Sequence, residues 1–190
     1  SAILNSEWIN STEQIFDISN NEDYSYYINM QDNNNFLLGE ETDISNSTSA
    51  ISLSQYEEYI ESVVEGIDEI IDLDFTRVYN ADDSTVDFYL VNDVDLTDSS
   101  VVGSTNNWGT WFEILLKDGV EESEQKSTII HEWGHVLGLD HPDDDGFNID
   151  YTVDDTVMSY NIGLNGWNDT FTSADIEALR QIWGDENDSL

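Results

Sequence analysis

The chain has no cysteine, one proline (Pro142) and four basic residues, Arg77, Lys117, Lys126 and Arg180. Without cysteine there are no disulfides, no thiolate metal ligands and no thiol to hold a metal latent. Against those four cations stand 42 Asp plus Glu, giving a net charge of −38. Nucleic acid is thereby excluded as a partner, because phosphate contacts need Lys and Arg. Docking on an anionic membrane surface is excluded for the same reason. No apolar run approaches the ~20 residues needed to cross a bilayer. No signal-peptide pattern is visible, and a start at Ser1 rather than Met fits a leader removed by processing or by cloning.

Core material is plentiful. Six Trp, nine Tyr and seven Phe in 190 residues suit one domain that buries roughly 70% of its unfolded surface. The acidic excess repels itself, and salt screens that repulsion over ~8 Å at physiological ionic strength. A salty habitat or calcium binding would each relieve it. Asp143, Asp144, Asp145, Asp150, Asp154 and Asp155 gather around Gly146, and such oxygen-rich loops suit Ca²⁺, although the spacing matches no EF-hand. A solvated acidic face is the other reading of that loop.

Periodicity places the elements. Residues 1–20 carry a weak helical pattern (Trp8, Ile9, Thr12, Ile15, Phe16), and residues 24–30 read as a strand. Residues 31–50 are mostly Asn, Asp, Ser, Thr and Glu and read as a long loop. Residues 1–50 are therefore expected to be a peripheral N-terminal segment, with a pro-segment remnant as one reading. Tyr56, Tyr59, Ile60, Val63, Val64, Ile67, Ile70 and Ile71 step by three or four. They predict an amphipathic helix over residues 54–71, capped by Ser54 with Glu57 three positions on. Strands are predicted over 75–79, 86–91 and 108–117, with a turn at 80–85 and a loop at 103–107. Two further helices are predicted over 122–139 and 172–183, the second capped by Thr172 or Ser173. No internal repeat is found, and the class is α+β.

All three histidines fall within eleven residues, His131-Glu132-Trp133-Gly134-His135-Val136-Leu137-Gly138-Leu139-Asp140-His141. On a helix, His131 and His135 project from one face and reach one metal ion. Glu132, beside the first ligand, is placed to take a proton from metal-bound water. Gly138 lets the backbone leave the helix through positive φ, and the returning chain brings His141 as a third nitrogen. Three protein ligands leave a fourth position open, the arrangement of a catalytic zinc site. A surface helix that happens to carry histidines is the bland alternative, and the glycine and third histidine at fixed offsets remove most of it.

The run HExxHxxGxxH, followed by Thr156-Val157-Met158-Ser159-Tyr160, resembles the metzincin zinc metallopeptidases with their methionine-containing turn. Pro142 after the third histidine and Met158-Ser159-Tyr160 are most similar to the serralysin pattern. Weaker similarity to serralysin and matrixin catalytic domains lies at Asp74-Phe75-Thr76-Arg77-Val78 and in the helix Asp175 to Gly184. The resemblance implies a mixed, twisted sheet with two long helices, a C-terminal helix and a zinc cleft between upper and lower parts. It implies Zn²⁺ on His131, His135 and His141, Glu132 as general base and Tyr160 near the metal, as ligand or oxyanion donor. Met158 would support the floor of the site. It also implies a protein or peptide substrate lying along Trp111 to Leu115 by main-chain hydrogen bonds. The expectation is a secreted, monomeric zinc endopeptidase hydrolysing peptide bonds through zinc-bound water. Alternatives are an acidic calcium-binding or adhesive module with a vestigial zinc site, and a zinc hydrolase of non-protein amides.

Overall fold

The computed structural model describes residues 1–32, 34–37, 47–94 and 98–187. Among them the order is α1 (Ser6–Glu13), β1 (Asp23–Ile28), β2 (Asn34–Leu37), β3 (Ser47–Ile51), α2 (Glu57–Glu65), β4 (Asp74–Val78), β5 (Val86–Val91), β6 (Gly103–Asn107), β7 (Phe112–Lys117), α3 (Glu122–Val136) and α4 (Ser173–Trp183). One mixed sheet holds all seven strands. Its middle is parallel: β4 pairs with β1, β1 with β5, and β5 with β7 from Val86↔Phe112 to Val91↔Lys117. β3 runs antiparallel beside the end of β5, and β6 antiparallel beside β7. Parallel strands covered on both faces need apolar side chains throughout, and every residue of β5 is buried.

The two sheet faces differ. Tyr26, Ile28, Phe88, Leu90, Phe112 and Ile114 join the helices in the main core, with Ile60 and Val64 from α2, Trp133 from α3 and Trp183 from α4. Fully burying each such side chain stabilises the fold by about 1.5–3 kcal/mol. On the other face lies a small cluster of Ala50, Tyr89, Val91 and Leu115, together with two buried acids, Asp87 and Glu113. Those acids are direct partners across the β5–β7 ladder. Burial pushes the Asp87 carboxyl up to about 7.

Several expectations are corrected. The loop over 31–50 contains β2 and β3, which pair antiparallel; residues 33 and 38–46 lie outside the described residues. The N-terminal segment is not peripheral: Ile3 and Phe16 are core residues, and β1 sits between β4 and β5. The helix expected over 54–71 is nine residues long, so only α3 is a long helix. Tyr56 replaces Ser54 as its N-cap and makes no side-chain capping hydrogen bond. The loop over 103–107 is β6, held by its ladder to β7. That ladder also corrects the proposed substrate edge. β7 is paired on both sides, so Phe112 to Leu115 of the expected stretch Trp111 to Leu115 has no free main-chain edge, and β6 pairs with β7 alone among the described residues.

No described helix is long and apolar enough to cross a membrane.

Candidate metal centre

α3 begins with Glu121 as N-cap, its carboxylate accepting from the Ser123 N–H at 3.0 Å. Acidic residues there complement the positive end of the helix dipole. The helix ends in a Schellman motif: the Leu139 N–H donates to Gly134 O (2.9 Å) and the Gly138 N–H to His135 O (3.0 Å). Gly138 has φ +94°, and a Cβ there would also meet Thr12 Oγ1 at 3.1 Å. The turn swings His141 back over the helix. The N-terminal segment fastens this return: Asp140 N–H donates to Ile3 O, and the Trp8 indole N–H donates to His135 O at 2.9 Å.

The three imidazoles converge, with ligand nitrogens all within 4.8 Å of one another. His131 Nδ1–H donates to Val157 O at 2.8 Å and His135 Nδ1–H to Leu139 O at 2.9 Å. A carbonyl only accepts, so both rings carry the proton on Nδ1 and turn a bare Nε2 inward. His131 Nε2 and His141 Nε2 stand 3.3 Å apart. Two nitrogens held ~2.05 Å from one tetrahedral ion would be separated by ~3.3 Å, the spacing of this pair, so the group could hold a metal ion. Burial pushes all three histidines below the ordinary imidazole range, His135 to about 4, and their mutual proximity lowers His131 and His135 further. Neutral imidazole is the form that binds a metal.

Glu132 is 5% exposed, and burial pushes its carboxyl up to about 7. Its Oε2 accepts from Thr105 Oγ1 at 2.7 Å. A cation on the histidines would draw the value down again by favouring the charged form. The Tyr160 ring lies 4.9 Å from His131 and 4.7 Å from His141. Burial and the charges of Glu132 and Asp140 raise its phenol, which therefore stays a hydrogen-bond donor.

Met158 is fully buried under the helix, and a Cβ at Gly134 would meet its sulfur at 2.6 Å. The methionine turn is in turn hung from α4. Asp175 accepts from Thr156 Oγ1 (2.5 Å) and from the Val157 N–H (3.1 Å), and Val157 O holds His131. The same carboxyl completes a capping box with Thr172.

The structure thus brings His131, His135, His141, Glu132 and Tyr160 together. Sequence reasoning missed Thr105, Trp8 and Asp175. Asp175 was readable as the third residue of a capped helix, but nothing in the sequence reported its second set of partners. Gly146 also had a signal, as a glycine among six aspartates: a Cβ there would meet the Tyr160 ring at 2.4 Å. Among the described residues the loop aspartates form no converging group of three. They accept local backbone bonds instead, Asp145 from Phe147 N–H, Asp155 from Thr152 N–H and Asp154 from Leu164 N–H.

No family model matches the chain, and no curated protein matches it.

Proposed function

We propose that this chain is a zinc-dependent endopeptidase of metzincin type. One observation carries the reading: three inward-facing Nε2 donors sit beside a buried carboxyl that follows the first of them. Held by His131, His135 and His141, a zinc ion supplies Lewis acidity toward a substrate carbonyl and acidifies water. The chain's own groups do the rest. Glu132 takes a proton from the attacking water as its oxygen bonds to the peptide carbon, then hands that proton to the amine as the C–N bond breaks. Tyr160 donates its phenol hydrogen bond to the carbonyl oxygen as negative charge develops there. Thr105 keeps the Glu132 carboxyl oriented.

β6 offers an extended peptide its unpaired main-chain edge, replacing the edge expected on Trp111 to Leu115. Gly103, Ser104 and Thr105 of that strand line a cavity of about 260 Å³ together with Glu132, His135 and Tyr160. An extended chain on that edge would pass its carbonyl between Glu132 and Tyr160.

Metal analysis with cleavage of a mixed peptide library tests the reading. One zinc per chain is expected, with cleavage lost on chelation and in His135→Ala. A metal-free chain that still cuts peptides, or a zinc-loaded chain that cuts none, would overturn it.

A further inference from the structure

Resting on that reading, we propose that the cleft selects peptides with a long cationic side chain, lysine or arginine, next to the scissile bond. A cavity of about 370 Å³ opens beside His131 and Glu132. Val101, Val102, Phe147 and Trp167 give it apolar walls, and Glu124 gives it a carboxylate. Glu124 lies seven residues before His131 on α3, so ~10.5 Å of helix axis separates the two positions. Ser127 and Thr128 fill the stripe between them and line the same cavity. The Thr128 hydroxyl is already used, donating to Glu124 O at 2.9 Å. A side chain entering beside His131 and Glu132 and reaching toward Glu124 therefore runs along Ser127, Thr128 and the apolar walls before it meets that second carboxylate. Lysine and arginine have that form, an aliphatic stem ending in a cationic head.

Glu124 is also available. The ion pairs of the four basic residues go to Glu57 and Glu61, Asp93, Glu122 and Asp185, and none among the described residues uses Glu124. A second carboxylate on the same cavity, Asp98, is oriented by the Ser100 N–H and hydroxyl. An acidic substrate side chain would face both carboxylates with like charge. A neutral aliphatic one would fill the walls and gain nothing from Glu124. The net charge of −38 attracts cationic peptides generally; the pocket adds a position along the peptide.

The test uses the full zinc-loaded chain carrying Glu132→Gln, so that binding is read while turnover is slow. Peptide pairs differ at one position, lysine against norleucine, which has the same four-carbon stem without the ammonium, and the position is walked along the sequence. Calorimetry is expected to find one position where lysine binds about tenfold tighter, ~1.4 kcal/mol. Adding Glu124→Gln should bring that ratio near one, and Glu124→Lys should turn the preference toward glutamate. A ratio near one at every position overturns the proposal. So does a tenfold ratio that survives Glu124→Gln, which would assign the preference to the general field. The unsubstituted chain is then scored for cleavage of the preferred peptide. Glu124-dependent binding without cleavage would leave the pocket standing and sink the peptidase reading. Cleavage indifferent to lysine would do the reverse.

Discussion

Replacing Asp175 by alanine separates the support of the metal site from its ligands. Asp175 touches no histidine and is fully buried. Its carboxyl accepts from Thr156 Oγ1, the Val157 N–H, the Thr172 N–H and Thr172 Oγ1 at 2.5, 3.1, 2.8 and 2.8 Å. The Thr172 hydroxyl keeps a second acceptor in Asp155 O, but the other three donors lose their partner. An unpaired buried donor costs ~1–3 kcal/mol, so the sum is about 3–6 kcal/mol after allowing for relaxation. For a chain of this length ~1 kcal/mol moves the Tm by ~2–4 °C, and the metal-free protein should melt ~6–24 °C lower. Val157 is also the residue whose carbonyl fixes His131, and losing such support weakens a metal by ~10–100-fold. Calorimetric melts and a zinc titration against a competing chelator measure both effects. Asp175→Asn, which keeps one oxygen, should fall between. A lower Tm with unchanged zinc affinity would show that Asp175 supports α4 alone. No change in either would show that Asp175 supports neither the fold nor the site.

Tyr160→Phe should lower kcat by ~10–10³-fold with little change in KM, since the phenol acts on developing charge; unaltered steady-state kinetics would leave the ring a packing role only. Asp87 is held protonated to about pH 7 in the fold, against an unfolded value near 3.9. Its contribution is therefore present below the unfolded value and lost as pH rises through about 7. Asp87→Asn should match the parent near pH 4 and gain stability towards pH 8, with a ceiling of ~4 kcal/mol; a pH-independent offset in Tm would contradict this. If the loop aspartates only accept local backbone bonds, sub-millimolar CaCl₂ should add no more to the Tm than NaCl of equal ionic strength, whereas a calcium-specific rise would restore a calcium site.

What was legible followed period and spacing. The strand at Val86–Val91 was placed to the residue, and α3 and α4 began within one residue of the expected start. The histidine convergence was legible because helix pitch and a positive-φ glycine are local properties. β6 was not, because Gly-Ser-Thr-Asn-Asn offers no apolar alternation and owes its conformation to the ladder with β7. That single loss also put the expected substrate edge on a strand that β6 covers. The roles of Thr105, Trp8 and Asp175 were invisible for a related reason. Their partners Glu132, His135 and Val157 lie 27, 127 and 18 positions away, and a hydrogen bond at that separation leaves no periodic trace.

The proposed reaction assigns the proton of peptide hydrolysis to Glu132, the buried carboxyl beside the three histidines. Glu132→Gln tests it most directly, with zinc content and peptide turnover measured on the same preparation. One zinc per chain is expected in parent and variant alike, because Glu132 is not a ligand, with turnover reduced ~10²–10⁴-fold in the variant. Near-parental kcat in the zinc-loaded variant would contradict the account, as would a parent chain that binds no zinc.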